Sequence, residues 1–144
     1  MSASAVANVE LVEAMMDLIE RDEQQALAEL VDEHAHPEIE WMPLIAAAVE
    51  GVYQGRDGVR RFLDDLLSSF EVRYRELEFR QLGDRVVLVL CRMDLRGRES
   101  GVETSTHAGT VYEFENHLIR RGRVYGDQAE AVSAAEALAS DGDA

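Results

Sequence analysis

Lysine is absent from this chain, and all 14 of its basic residues are arginine. That absence excludes a Schiff-base nucleophile, a pyridoxal-phosphate linkage and the lysine of a phosphate-binding loop. Neither G-x-x-x-x-G-K-[ST] nor G-x-G-x-x-G occurs in the sequence. Covalent amine catalysis is therefore excluded, and we expect the protein to use no cofactor.

Cysteine and long apolar runs are also scarce. The single cysteine, Cys91, cannot form an internal disulfide, and its position in the apolar run VVLVLC is typical of a small buried hydrophobe rather than a nucleophile. No apolar stretch approaches the roughly 18 residues of a membrane span, and the N-terminus has no signal-sequence pattern. We therefore expect a soluble, cytoplasmic protein.

The net charge of −15 argues against two classes of partner. A phosphate backbone and an anionic membrane would both be repelled at long range. We expect neither nucleic-acid binding nor membrane binding.

One strong helix lies in the segment GVYQGRDGVRRFLDDLLSSF, residues 51–70. Its apolar side chains recur at the spacing of a single stripe on a 3.6-residue helix: Val59, Phe62, Leu63, Leu66, Leu67 and Phe70. Gly55 provides a turn before the helix, and Asp57 places a negative charge in its first turn. A helix of this kind needs a large apolar surface to lie on.

The remaining patterns predict an α+β protein built as a single domain, residues 1–144. They indicate a first helix at about 5–21, capped by Asn8 or Ser4. A second helix is expected to begin with a capping box at Asp22 and to end before Pro37. Short strands are expected at Ile39–Leu44 and Val52–Tyr53, with residues 46–50 as a loop or helical turn between them. After the 51–70 helix come a strand through Val72–Phe79, long strands at Arg85–Arg96 and Val102–Glu115, a strand at Leu118–Gly126, a helix from Asp127 and a polar tail, Ser140–Ala144.

Two details of the strands carry predictions. The alternation of Val72 and Tyr74 changes parity before Leu77, which predicts a bulge near Arg75–Glu76. The stretch Val86–Cys91 is apolar at every position, which predicts a strand covered on both faces.

A family resemblance runs over nearly the whole chain and rests on four segments: NVELVEAMMDLIERDEQQALAEL, IEWMPL, VYQGRDGVRRFLDDL and VYEFENHLIRRGRVYGDQAEAVSAA. In this order they resemble the SnoaL-like branch of the nuclear-transport-factor-2-like superfamily, which includes ketosteroid-isomerase-like proteins and polyketide cyclases. The resemblance implies a curved antiparallel sheet wrapped around the N-terminal helices as a cone-shaped, cystatin-like barrel. It also implies a cavity between helices and sheet, and dimers in many relatives.

Five large side chains lie on elements expected to face such a cavity: Trp41, Tyr53, Phe62, Leu66 and Tyr112. Mixed aromatic and polar linings are typical of small-molecule sites, so we expect these residues to bind a small apolar molecule. The alternative is that they are core residues that pack against one another.

Arg92, Asp94 and His107 form the candidate catalytic group. If Glu99–Ser100 is the centre of the hairpin, Arg92 lies opposite His107 and Asp94 is their diagonal neighbour on the same face. A carboxylate beside an imidazole can make it a general base, and arginine could stabilise an enolate oxygen. The alternative is a solvated charge cluster near a hairpin end.

Two further patterns bear on chemistry. Ketosteroid isomerases resembled by this chain have an aspartate base before a proline on the first strand, where this sequence has Met42, so we expect no steroid isomerisation. Glu38 and Glu40 could substitute only if the strand were shifted. His34-x-His36-x-x-x-Glu40 has the first metal-ligand spacing of cupins, but it closes a helix beside Pro37, and we expect no metal site.

Two functions remain in view. One is a pocket protein that binds a small apolar molecule without clear catalysis. The alternative is a cofactor-independent isomerase or cyclase that transfers protons on a carbonyl or polyketide-like substrate. We also expect a homodimer, because Val86–Cys91 offers apolar side chains to both faces while the long helices cover one.

Overall fold

The computed structural model describes residues 3–44 and 51–142. Within these residues it contains four helices and six strands. In chain order they are α1 (Ala3–Glu20), α2 (Gln24–His34), β1 (Ala35–Met42), β2 (Tyr53–Gln54), α3 (Gly55–Ser69), β3 (Phe70–Leu82), β4 (Val86–Gly97), β5 (Glu103–Glu115), β6 (Leu118–Tyr125) and α4 (Gln128–Gly142). None of the helices in these residues is long and apolar enough to span a membrane. The α+β class is confirmed.

All six strands form one sheet in the order β2-β1-β6-β5-β4-β3. Neighbouring strands run antiparallel except β1 and β6, which are parallel. The sheet is therefore mixed and open, with β2 and β3 at its edges. The expected curved antiparallel sheet is thus refined in two respects: one of its five pairings is parallel, and its two edges are not paired with each other.

The α3 helix buries the predicted stripe, except that Phe70 lies beyond the helix as the first residue of β3. Phe62, Leu63 and Leu67 are buried, and Val59 and Leu66 pack partly buried against the same core. Gly55, at the first helical position, has a φ of +75°, a conformation that favours glycine. The helix thus lies on the sheet face that also carries Val87, Val89 and Tyr112; we call this the inner face.

The bulge in β3 is confirmed. The pairing with β4 changes register between Arg75 and Glu78, and Glu76 has a φ of 55°. A bulge leaves one residue unpaired and bends the strand. The bend lets the long strand curve around α1, which packs on its inner face.

Both faces of β4 are covered, as predicted, but by different helices. Val87 and Val89 face α1 and α3, whereas Val86, Leu88 and Leu90 face α4 on the opposite, outer face. Covering both faces within one chain overturns the reason for expecting a dimer, namely that an apolar face would be left open. Dimerisation itself stays a prediction.

The docking of α4 depends on small side chains. A Cβ atom on Gly109 would lie 2.4 Å from the Cβ of Ala131, so helix and strand approach closely only because Gly109 has no side chain. Ala131 and Ala135 are fully buried in this contact. The Gln128 amide donates hydrogen bonds to the carbonyls of Cys91 and Ala108, at 3.3 and 3.2 Å, which fixes the helix start on the sheet.

Several predicted boundaries were wrong. Asp22 lies in a turn with φ of 56°, and α2 begins at Gln24 without a side-chain cap. Asn8 lies inside α1, where its amide donates to the Asp84 carbonyl at 2.9 Å rather than capping the helix. β1 starts at Ala35, before Pro37, and α4 continues through Ser140. The segment 46–50 lies outside the described residues.

Candidate functional site

The structure brings together the predicted aromatic residues from four different elements. Trp41 of β1 lies 5.6 Å from Phe62 of α3 and 6.1 Å from Tyr112 of β5, measured between ring centroids. Tyr53 of β2 lies 5.2 Å from Phe62. Leu66 is partly buried against the same core. We call these five residues the aromatic cluster.

Room for the indole of Trp41 comes from Gly122. The parallel pairing of β1 and β6 places Trp41 beside Gly122, and the next pairing places Gly122 beside Tyr112. A Cβ atom on Gly122 would lie 2.5 Å from the indole ring. Gly122 is therefore a site residue that sequence reasoning missed, because its role depends on a parallel pairing between distant segments.

The indole nitrogen of Trp41 is buried. Trp41 as a whole is half-buried, but its Nε1 has no hydrogen-bond acceptor among the described residues. Leaving a buried N–H unpaired costs about 1–3 kcal/mol. An acceptor placed at this atom would therefore be stabilised by the cluster.

The two tyrosines of the aromatic cluster are buried. Tyr53 and Tyr112 are only 3% and 5% exposed. Burial raises the pKa of the Tyr112 hydroxyl, so it stays protonated at neutral pH. It is a neutral polar group next to the indole rather than a base.

Open recesses lie elsewhere on the inner side. One of about 140 Å³ lies between α1 and β3, and one of about 70 Å³ lies between α2 and α3. Neither is bordered by Trp41 or Tyr112. The four rings of the aromatic cluster instead form a connected set of ring contacts.

The predicted register of the candidate catalytic residues is correct. Arg92 is paired with His107 and Asp94 with Ser105, so Arg92, Asp94 and His107 share one face of the sheet. By alternation from Val87 and Val89, that face is the outer one. The structure therefore brings these three residues together, but on the side of the sheet opposite to the aromatic cluster.

Asp94 is the best-partnered carboxylate of this outer group. Ser105 Oγ donates to it at 2.7 Å, Arg75 Nε at 2.8 Å and Arg92 Nε at 3.1 Å. These hydrogen bonds, led by that from Ser105, lower the pKa of Asp94 to about 2. The carboxylate thus remains charged at neutral pH and is a poor proton acceptor.

His107 is a surface residue in this arrangement. Its side chain is 69% exposed, and its Nε2 lies 3.7 Å from a carboxylate oxygen of Glu76. Arg75, Glu76 and Ser105 are the neighbours that sequence reasoning did not assign to this group. Alternation along β3 could have placed Arg75 on this face, whereas Glu76 is positioned by the bulge.

Met42 is the last residue of β1 and directly precedes Pro43. Glu40 pairs with Arg121 on β6 at 3.1 Å. Arg120 donates a hydrogen bond to the Glu38 carbonyl at 2.6 Å, and its guanidinium lies 4.0 Å from the Glu38 carboxylate. His36 uses its Nδ1 to accept the N–H of Glu38 at 2.9 Å. Among the described residues, no group of three or more histidine, cysteine or acidic side chains is arranged to hold a metal ion.

Comparisons with known proteins agree with this architecture. The sequence profile of the SnoaL-like domain matches residues 12–122. A nuclear-transport-factor-2-like protein of unknown function from Burkholderia pseudomallei is similar in structure, with a TM-score of 0.70 and 20% identity over 94% of this chain and 98% of that one. No curated protein matches the sequence significantly.

Two further solved structures carry provisional functional names. A provisionally named polyketide cyclase from Xanthomonas campestris has a TM-score of 0.72 and 14% identity, covering 91% of this chain and 98% of its own. A provisionally named isomerase from Bacillus subtilis has a TM-score of 0.71 and 16% identity, covering 86% and 88%. At these identities the likeness shows the fold alone. Together with the profile match over most of the sequence, it establishes that the chain belongs to the SnoaL-like domain family.

Proposed function

We propose that this protein binds a small, mainly apolar molecule with a hydrogen-bond acceptor at the aromatic cluster. The observation that carries the proposal is the buried Nε1 of Trp41, which has no acceptor among the described residues. A ligand carbonyl at this atom would satisfy the N–H. The surrounding rings of Phe62 and Tyr112 would cover the ligand's apolar part.

Access supports the same site. Trp41 is half-buried rather than enclosed, so the cluster reaches the surface there. Arg61 lies over the Tyr53 ring, with its guanidinium carbon 5.8 Å from the ring centroid, at the edge of the cluster. Small-molecule sites commonly combine apolar walls with a few polar groups that set orientation.

Proton transfer on a carbonyl substrate is the alternative function. The provisional names of the cyclase and isomerase relatives favour it. Against it, Asp94 holds its charge in four hydrogen bonds from three side chains and lies with His107 across the sheet from the aromatic cluster. We therefore propose binding without catalysis by these residues.

The test uses 2-indanone and indane, two bicyclic ligands of matched shape, of which only the ketone accepts a hydrogen bond. Affinities are measured by calorimetry for the wild type and for Trp41→Phe, which keeps an aromatic ring but removes the donor. We expect the substitution to weaken 2-indanone about fivefold more than indane, the factor for a hydrogen bond worth about 1 kcal/mol. Equal weakening of both ligands, or no binding of the ketone, would contradict the proposal.

His107→Ala and Asp94→Asn are the matched controls. They lie on the outer face and should leave the affinity for 2-indanone unchanged. The α-protons of 2-indanone also report on the alternative function, because their exchange with deuterium can be followed by NMR. We expect no acceleration by the wild type over buffer; acceleration that His107→Ala abolishes would favour the proton-transfer function.

A further inference from the structure

The larger of the two recesses described above lies between α1 and β3. Its volume is about 140 Å³. α1 contributes Glu13, Met16, Asp17 and Glu20, which follow one another on a single helix face, and β3 contributes Tyr74, Leu77 and Phe79. None of these residues belongs to the aromatic cluster. We call this recess the α1–β3 groove.

The floor of the groove is apolar, and the bulge in β3 leaves it open. Leu77 lies in the bulged segment and is 42% exposed, one of the few large apolar side chains at the surface of the described residues. Phe79 is half-buried beside it, and Met16 closes the floor with 5% exposure. Exposed apolar surface inside a recess is typical of a binding site.

The rim of the groove is negatively charged. Its lining contains three carboxylates and no basic residue. Asp17 is paired with Arg21 at 3.1 Å, and Glu20 accepts the backbone N–H of Tyr74 at 2.6 Å. Glu13 has neither a hydrogen bond nor an ion pair in the part of the chain that the structure describes. Among the described residues, the Glu13 carboxylate thus has neither a counter-charge nor a hydrogen-bond donor, and it lies beside an apolar floor.

The two rings of the groove suit the same kind of ligand. Burial raises the pKa of the Tyr74 hydroxyl well above its ordinary value, so the ring stays neutral. Neutral aromatic rings attract cations through their faces. The net charge of −15 also draws cations toward the protein and repels anions.

We propose that the α1–β3 groove binds a small organic ammonium ion, with its apolar chain on Met16, Leu77 and Phe79 and its charged nitrogen at Glu13. This proposal is independent of ligand binding at the aromatic cluster. The groove selects by charge, whereas the cluster selects for a hydrogen-bond acceptor.

Three six-carbon probes separate charge from apolar contact: n-hexylammonium, hexan-1-ol and hexanoate. Each is titrated into ¹⁵N-labelled protein, and amide shifts in α1 and β3 report the binding. We expect hexylammonium to bind most tightly, hexan-1-ol to bind more weakly and hexanoate to leave these amides unchanged. Hexan-1-ol binding as tight as hexylammonium, or shifts confined to other elements, would overturn the proposal.

Variants locate the two halves of the ligand. Glu13→Gln should weaken hexylammonium about two- to fivefold, as expected for one exposed ion pair, and leave hexan-1-ol unchanged. Leu77→Ser should weaken both probes. Glu10→Gln removes a carboxylate from the same helix outside the groove and should change neither.

Two outcomes with these variants would count against the site. Equal effects of Glu10→Gln and Glu13→Gln would show a general charge effect instead of a groove contact. Unchanged binding to Leu77→Ser would place the ligand elsewhere. Trp41→Phe should leave hexylammonium binding unaffected, so failure of this proposal and failure of the aromatic-cluster proposal can be distinguished.

Discussion

Asp94 organises the polar part of the outer sheet face. Its two carboxylate oxygens accept hydrogen bonds from Ser105, Arg75 and Arg92, which come from three adjacent strands. Arg75 and Arg92 are directly paired across β3 and β4, so their like charges would repel without the carboxylate between them. Asp94 therefore has a structural explanation that requires no reaction.

The low pKa of Asp94 predicts how stability depends on pH. Because the pKa falls from 3.8 to about 2 on folding, the folded state binds fewer protons there than the unfolded state. The resulting stabilisation is complete above about pH 4 and is lost as the pH falls toward 2. Asp94→Asn should therefore destabilise the protein at about pH 6 and less strongly at about pH 3.

Urea denaturation of both proteins at the two pH values checks this prediction. Asp65→Asn, which removes an exposed carboxylate from α3, serves as the control. A destabilisation by Asp94→Asn that is the same at both pH values would show that the hydrogen bonds to Asp94 do not set its pKa.

The pairing of residues across the β4–β5 hairpin could be predicted from the sequence, but the sheet face on which those residues lie could not. The hairpin centre at Glu99–Ser100 gave the pairing of Arg92 with His107, and the structure has that pairing. Which face they occupy could not be predicted, because Val86–Cys91 is apolar on both sides and alternation along β4 therefore favours neither. The face is decided by where α1, α3 and α4 pack.

α4 is the helix whose packing was hardest to predict from the sequence. Its buried positions are alanines, which give little contrast between an apolar and a polar face. Its docking depends on the matching absence of a side chain at Gly109, on a different element. α3, by contrast, carries large apolar residues at helical spacing, and both its position and its buried face were predicted correctly.

Gly109→Ala should test the close approach of α4 to the sheet. The added Cβ would lie 2.4 Å from Ala131, so the helix must shift. We expect the free energy of unfolding to fall by about 1–3 kcal/mol, as is usual for overpacking. Gly126→Ala is the control, since its Cβ would meet its nearest atom at 3.4 Å. Chemical denaturation that gives Gly109→Ala wild-type stability would contradict the observed packing.

The part of the outer face that α4 leaves uncovered carries charged side chains arranged in cross-strand rows. One cross-strand row consists of Glu71, Arg96 and Glu103, and another of Arg75, Arg92 and His107. The first row has an excess of negative charge and the second an excess of positive charge. A two-fold axis lying between the rows would place each row against the opposite row of a second copy.

This arrangement gives the predicted homodimer a different physical basis from an open apolar face. Light scattering at micromolar concentration should report a dimer at low salt and a falling dimer fraction as salt rises. In such a contact Glu71 would face the partner's Arg75. Glu71→Arg should therefore weaken the dimer, and the double variant with Arg75→Glu should restore it. A monomer at micromolar concentration and low salt would contradict the prediction.

The NMR signal of the Trp41 indole proton tests the proposal that a ligand acceptor binds this buried N–H. Trp41 is the only tryptophan, so the protein has a single indole N–H resonance. Adding 2-indanone should move this resonance downfield as a hydrogen bond forms, whereas indane should produce no such downfield shift. An indole resonance that stays in place while 2-indanone shifts amides elsewhere would contradict the claim.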